Sequence, residues 1–364
     1  MSLSVIIPTK NRAETLFYTI QTVINQDDSI IKQIIVSDNL STDNTREVIN
    51  SFNDYRIKYI RPPQRLGMSE HWEFALSHIN TEWVCIIGDD DGLTPFFTNL
   101  LHRILKKSPC KAISTKQCSY KWPDQKYGHG FIKYNNINEI RSTKKYISSL
   151  IKGKISHKEL PWIYTGGIVH KDIINTIKNK TGDFFLSIIP DIYSVFAISS
   201  VLDKYYYTDY PLFIGGTSKY STGQSQMKPK NNTIFQEFLK ENNKLFLPFL
   251  GNGNIQSLPM LYYESYLQSS LLRDWGLKVN IEDIIVLTLC RAKKENFYYV
   301  NSYCKKLSTI NGLNYNNILI KYKLKSFTEN YITNKRKEKS NIFIKKYSKN
   351  IMEFYNSISN ERFF

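Results

Sequence analysis

The sequence has no apolar run approaching the length of a membrane-spanning helix. Its longest apolar stretches, Trp83 to Ile87 and Phe184 to Pro190, fall far short of about 18 residues. No segment is therefore expected to cross a bilayer. The opening MSLSVIIPTKNR has no basic stretch ahead of its apolar residues and no small-residue cleavage site, so it reads as a first β-strand, and the mature protein is expected to begin at Met1. Cysteine is scarce: Cys85, Cys110, Cys118, Cys290 and Cys304 are odd in number, scattered and without a CxxC pair. That argues against a disulfide framework and a zinc site and suits a reducing cytoplasm. Internal repeats and coiled-coil heptads are absent, and the only compositional bias is toward Lys and Asn. Acidic residues are the minority charge, 32 against 49 Lys and Arg, a net +17 over 364 residues. The partner is then expected to be anionic: nucleic acid, anionic lipid or a phosphorylated substrate.

What is present is ample material for a core, 41% hydrophobic residues including 25 Tyr and 20 Phe. Up to about residue 110, apolar runs alternate with amphipathic stretches of about a dozen residues, the mark of βαβ crossovers. Strands are expected at Ser4 to Ile7, Gln33 to Ser37, Ile57 to Ile60 and Trp83 to Ile87. Helices are expected over 14–25, 41–52, 68–79 and 95–107. This reads as a Rossmann-like α/β unit with a mostly parallel sheet. From 111 to 223 a β-rich insert (112–134), a helix near 143–152, the segment Trp162 to His170 and a helix after Pro190 form a second half. From 224 to 364 the pattern predicts a helical, basic appendage, with helices over 233–246, 259–275 and 281–304. The last 44 residues carry 11 Lys and Arg against 4 Glu, a net +7. Within them, NIFIKKYSKNIMEFYNSI sets Ile342, Phe343, Tyr347, Ile351, Phe354 and Tyr355 near helical spacing between lysines. Such a helix would lie on anionic lipid or pack in an oligomer.

Three polar turns follow apolar strands, where open α/β sheets bind ligands. The first is Thr9 to Arg12. The second is Asp38-Asn39, followed by Ser41 and Asp43, which read as helix-capping residues. The third is Asp89-Asp90-Asp91. Adjacent carboxylates raise one another's pKa unless a cation joins them, and a hard divalent ion completes its shell with phosphate oxygens. After Pro190, Asp191 opens a helix; it is the candidate base, with Asp183 and Asp209 as weaker ones. Gly166-Gly167 would permit a sugar's close approach or a turn, and His170 is a lesser proton-transfer candidate. The run GGTSKYSTGQSQ could close over a diphosphate through its backbone N–H groups or serve as a linker.

Together SVIIPTKNR, IIVSDNLSTDNT, RLGMSEHWEFAL and GDDDGL resemble the nucleotide-binding half of a family 2 glycosyltransferase with the GT-A fold. The resemblance covers about the first 110 residues and weakens to 223. It implies an inverting, metal-dependent enzyme that moves a sugar from a nucleotide-sugar donor, a UDP-sugar by preference, to a hydroxyl of a glycan or lipid-linked saccharide. Bacterial surface polysaccharide would be its setting; the expected location is the cytoplasm, with the basic C-terminus able to bring the protein peripherally to the inner face of the cell membrane. Pro8, Thr9, Arg12, Asp38, Asn39, Gly67, Asp89 and Asp90 would line the nucleotide site. Asp89, Asp90 and Asp91 would hold Mn2+ or Mg2+, with the DxD register open between Asp89/Asp91 and Asp90/Asp91. Asp191 would be the catalytic base, and Gly166, Gly167 and His170 would lie toward the acceptor. Asn39 departs from the family's usual second acid; an amide both donates and accepts. A nucleic-acid-binding protein is the alternative from another class, but no RNP, KH, zinc-finger or helix-turn-helix signature appears. A sugar nucleotidyltransferase would show a glycine-rich phosphate loop, and residues 8–12 contain no glycine.

Overall fold

The computed structural model describes residues 1–123, 128–219, 240–241, 249, 257–336 and 342–359. The expected alternation appears as β1 (Leu3–Thr9), α1 (Ala13–Ile24), β2 (Ile31–Asp38), α2 (Thr45–Asn50), β3 (Ile57–Ile60), α3 (Met68–Leu76), β4 (Trp83–Ile86), β5 (Gly92–Leu93) and α4 (Phe97–Lys107). β1 runs parallel between β2 and β4, and β3 joins β2 in the same sense. Their carboxyl ends therefore share one edge. Val5, Ile6 and Ile7 are fully buried in succession, the mark of a strand covered on both faces. In α1 the buried residues Leu16, Thr19, Ile20 and Val23 follow helical spacing and cover one of those faces.

The second half holds β6 (Ala112–Lys121), β7 (Gly128–Tyr134), β8 (Asn138–Ser142), α5 (Thr143–Ile151), β9 (Gly167–His170), α6 (Lys171–Thr181), α7 (Pro190–Val201) and β10 (Lys204–Thr217). The sheet stays continuous but its sense changes, since β9 lies antiparallel between β4 and β6 while β10 runs parallel to β6. α7 is buried along most of its length. Tyr193, Ala197 and Ile198 face the sheet's core, while Ile192, Val195 and Phe196 join the core of the helical region. Its first turn is thereby held from both sides.

The helical region consists of α8 (Leu258–Gln268), α9 (Ile281–Arg291), α10 (Phe297–Ile310) and α11 (Tyr315–Arg336). Met260, Ile285, Leu289, Cys304, Leu307 and Ile318 form its centre. Two expected helices are shorter here. The one over 281–304 is interrupted between Arg291 and Phe297, where Lys293, Lys294 and Glu295 stand exposed and offer nothing to bury. The one over 259–275 ends at Gln268. The helix expected over 233–246 falls almost wholly outside the described residues.

The C-terminus departs most from expectation. Ile342–Ser348 is a strand, β11, antiparallel to β7, and Ile351–Ile358 a separate helix, α12. Ile351, Phe354, Tyr355 and Ile358 are buried with Cys118, Tyr120, Ile132 and Tyr134 of the sheet domain. Ile351, Phe354 and Tyr355 of the face expected on lipid or in an oligomer are thus part of the protein core, Tyr347 stays exposed, and residues 224–364 are not one helical appendage. A reciprocal cap causes the break: Asn350 Oδ1 accepts from Glu353 N at 2.9 Å, and Glu353 Oε2 accepts from Lys349 N at 2.8 Å.

One buried group gives a pH-dependent prediction. His71, in α3, lies 2.8 Å from Ser37 Oγ through Nε2, and burial pushes its imidazole down to about 4. The folded state thus prefers the neutral ring, so its stabilisation is complete above pH ~6.5 and is lost as pH falls toward ~4, by up to about 3 kcal/mol. Urea unfolding at pH 7.5 and 4.5 should show the wild type losing more stability than His71→Gln. Equal losses in the two proteins would contradict this.

Candidate active site

Two loops at the carboxyl edge of the sheet are bound to each other. Thr9 O accepts from Asn39 N at 2.9 Å, Ser41 Oγ from Asn11 N at 2.8 Å, and Asn11 Oδ1 from Thr42 N at 2.7 Å. Asn11 and Leu40 have φ of 55° and 57°, a left-handed conformation that costs about 1 kcal/mol or more outside glycine. Asp43 accepts from Ala13 N and Thr45 N, at 3.1 Å each, so it caps two helices, as its position suggested.

The acidic turn lies beside them. Asp89 accepts from Thr9 Oγ1 and from Arg12 Nη1, both at 2.8 Å. Burial and Asp90 raise the Asp89 pKa, with Arg12 and Thr9 opposing. Burial works against the charged Arg12, but Asp89 and Asp90 hold its pKa above the usual value. Asp90 Oδ2 accepts from Ser218 Oγ at 2.7 Å. Asp91 accepts from Gly88 N at 2.9 Å, from Gly216 N at 2.7 Å and from Thr165 Oγ1. Its carboxyl is pushed up to about 6 by burial and by the charge of Asp90. Gly216 must be glycine, because a Cβ there would collide with the backbone carbonyl of Asp90.

Over Gly88 the carboxylates of Asp90 and Asp91 crowd together: a Cβ at that glycine would lie 3.2 Å from Asp90 Oδ1, 2.9 Å from Asp91 Oδ2 and 2.5 Å from the Tyr164 hydroxyl. Burial and the charges of Asp91, Asp90, Asp191 and Asp89 hold that phenol neutral, with its pKa well above the usual value. Asp191, half-buried at the start of α7, has a pKa raised by burial, against which the Ile192 N–H and Lys158 act. Among the described residues four carboxylates therefore act on Tyr164, and Arg12 and Lys158 bring positive charge to the cluster.

Of the residues singled out by sequence, Thr9, Arg12, Asp89, Asp90 and Asp91 meet directly, and Asp191 feels the same groups. Pro8 sits in β1 beside Ser37. Asp38 is paired in register with Thr9, but its carboxylate accepts from Tyr59 OH at 2.8 Å and Ser41 N at 2.7 Å, with Arg61 at 3.2 Å. Asn39 both donates to and accepts from the Leu66 backbone, at 2.8 and 3.0 Å, a pairing that an aspartate could not make. It thereby fixes the chain leading to Gly67, the N-cap of α3.

Other candidates fall elsewhere. His170 pairs with Trp83, the first residue of β4, because antiparallel β9 runs away from the acidic turn. It caps α6 instead, its Nδ1 accepting from Asp172 N at 3.3 Å. Gly166, at φ 112°, and Gly167 form a turn closed by Gly167 N and Tyr164 O at 2.7 Å, and a Cβ on Gly167 would strike the Trp162 carbonyl. These glycines present Tyr164 and Thr165 rather than a sugar-contacting backbone. Asp183 is exposed, and Asp209 is committed to the amides of Asn135 and Ile137, at 2.6 and 2.7 Å. Sequence reading missed Tyr164, Thr165, Gln117 and Lys158. The WIYTGG segment held the signal for the first two, since the glycine pair forms a turn and the turn sets its neighbours against the acidic cluster.

The buried carboxylates and the arginine lie at the carboxyl ends of parallel strands, the edge at which open α/β sheets bind ligands. The family model described as glycosyl transferase family 2 matches residues 4–156. That part of the chain, residues 4–156, is thus similar to family 2 glycosyl transferases. It is 37% identical over 94 residues, 25% of this chain and 30% of the other, to a GalNAc(5)-diNAcBac-PP-undecaprenol beta-1,3-glucosyltransferase of Campylobacter jejuni. It is 36% identical over 98 residues, 26% of this chain and 29% of the other, to the abequosyltransferase RfbV of Salmonella typhimurium. The chain thus matches about 30% of the length of these relatives. The crystal structure of S. aureus TarS residues 1–349 is similar at a TM-score of 0.49 and 14% identity, over 86% of this chain and 93% of that one.

Proposed function

We propose that the protein is an inverting glycosyltransferase that moves a sugar from a nucleotide-sugar donor to a hydroxyl of a glycan or lipid-linked saccharide in bacterial surface polysaccharide synthesis. The observation that carries this reading is the meeting of Thr9, Arg12, Asp89, Asp90 and Asp91 at one sheet edge, with Asp191 in the same electrostatic environment. UDP is the nucleotide that the family resemblance favours. The sequence relatives named for a lipid-linked and an abequosyl transfer support the polysaccharide setting.

Among the described residues no three His, Cys, Asp or Glu side chains converge as a complete protein cage for a metal. The donor chemistry nevertheless fits a hard cation that takes one or two carboxylates and shares the diphosphate oxygens. Asp90 and Asp91, crowded over Gly88, are the pair suited to Mn2+ or Mg2+, while Asp89 is engaged by Thr9 and Arg12. When bound, such an ion would offset the charge that develops on the departing diphosphate. Arg12 is neutralised by Asp89 and keeps that carboxylate in a fixed orientation toward the nucleotide. Asp191 takes the acceptor hydroxyl's proton as its oxygen attacks the anomeric carbon; its raised pKa suits a base working near neutrality. Tyr164, held neutral, places a hydroxyl near the carboxylates without adding charge.

No helix among the described residues is long and apolar enough to cross a membrane. Contact with an anionic membrane face belongs to this proposal and rests on α11, not on α12, whose residues Ile351, Phe354, Tyr355 and Ile358 are buried. There Ile320 and Leu324 stand exposed beside Lys321, itself paired with Glu282, and Lys323. The experiment that tests the function is detection of nucleoside diphosphate released from a panel of nucleotide sugars.

A further inference from the structure

Lys158 lies close enough to the acidic cluster to feel Asp91 and Asp191, yet among the described residues it forms no ion pair. It stands on the one-turn helix His157–Glu159, and its backbone is held on both sides: Ser156 Oγ accepts from its N–H at 3.3 Å, and Ser114 Oγ donates to its carbonyl at 3.1 Å. Its ammonium donates to Gln117 Oε1 at 2.7 Å. Gln117 Nε2 in turn donates to the Thr165 carbonyl, and Thr165 Oγ1 donates to Asp91. A continuous chain of hydrogen bonds thus ties this lysine to the acidic turn.

An ammonium carries three donors. The recorded partner of this one is a neutral amide, and among the described residues it makes no ion pair within 4 Å. Lys158 is also solvent-accessible as a residue. Burial about its ammonium lowers the pKa, against the pull of Asp91 and Asp191. A lysine fixed at its backbone, steered by an amide and left with donors to spare is built to meet a ligand oxygen. Its neighbours, the acidic turn and the base, are the groups between which transfer would occur.

We infer that Lys158, positioned by Gln117, binds a phosphoryl oxygen in this site. Two sources share that chemistry, the diphosphate of the donor and the phosphate of a lipid-linked acceptor. The inference rests on the glycosyltransferase reading and adds a residue to it.

The test is calorimetric titration of the full chain and of Lys158→Met with UDP, GDP and TDP and with their nucleosides. Each protein is then saturated with the preferred nucleotide and titrated with farnesyl diphosphate. Lys158→Met should weaken the nucleoside diphosphate about ten- to a hundred-fold and leave the nucleoside unchanged, if the donor supplies the phosphate. A loss confined to farnesyl diphosphate would assign it to the acceptor. In either case Lys158→Arg should restore binding, and Gln117→Leu should give a partial loss. Unchanged affinity of a folded Lys158→Met for both ligands would overturn the inference while leaving the glycosyltransferase reading intact. Failure of the wild type to bind any nucleoside diphosphate would overturn that reading and this inference together.

Discussion

Asp191→Asn is expected to lower sugar transfer by about 100- to 10,000-fold, the usual contribution of a positioned general base, while nucleotide affinity stays within about two-fold. The carboxylate lies in the first turn of α7, where a structural role at the helix N-terminus is the competing account. The two accounts predict different readouts. A structural Asp191 would reveal itself in thermal stability, by roughly 0.3–1 kcal/mol for a helix-terminal charge, and would leave the rate per folded molecule unchanged. A base would reveal itself in the rate alone. Burial has raised this carboxyl's pKa despite the Ile192 N–H and Lys158, so the acidic limb of the wild-type pH–rate profile should lie above the ordinary Asp range. Asp191→Asn should erase that limb in whatever activity remains. Normal transfer by a folded Asp191→Asn would remove it from the mechanism.

A chain ending at residue 341 is expected not to fold. It would lose β11 from the sheet edge and, with α12, the buried side chains Ile351, Phe354, Tyr355 and Ile358. At roughly 1.5–3 kcal/mol for each large buried side chain, their loss removes about 6–12 kcal/mol, comparable with the whole stability of a typical domain. The damage would reach the site. α12 packs on α1, with Gln26 Nε2 at 3.4 Å from Tyr355 OH, and Ile351 lies against Gly92, the residue after the acidic turn. Circular dichroism of the truncated chain should show loss of cooperative unfolding. A truncated chain that folded normally and lost only its affinity for anionic vesicles would restore the lipid-binding reading of this segment.

These two cases mark how far the sequence could be read. The parallel half was legible because Val5 to Ile7, Ile34 to Val36 and Trp83 to Ile87 are short apolar runs separated by helix-length amphipathic stretches, and such a pattern admits few folds. The acidic turn was legible because three carboxylates directly follow a buried strand. His170 was misplaced because strand direction is not written locally: β9 carries its start toward the site and its end away from it. The tail was misread because apolar residues at near-helical spacing satisfy a strand followed by a helix equally well. The Asn350-Lys349-Glu353 cap that separates the two was present in the sequence and outweighs the spacing. Lys158 and Gln117 were invisible for a different reason, since a lysine in a polar turn and a glutamine in a strand acquire meaning only when β6 and the turn at 157–159 are brought side by side.

The most direct test of the central claim is the release of nucleoside diphosphate from UDP-, GDP- and TDP-sugars by the full chain, with Mn2+ and with a chelator, for wild type and Asp90→Ala. One donor nucleotide should be cleaved or transferred by the wild type, the rate should fall at least about 100-fold on chelation, and Asp90→Ala should be inactive with or without the ion. Turnover of no nucleotide sugar by folded wild type in the presence of Mn2+ and of glycan and lipid-linked acceptors would contradict the account.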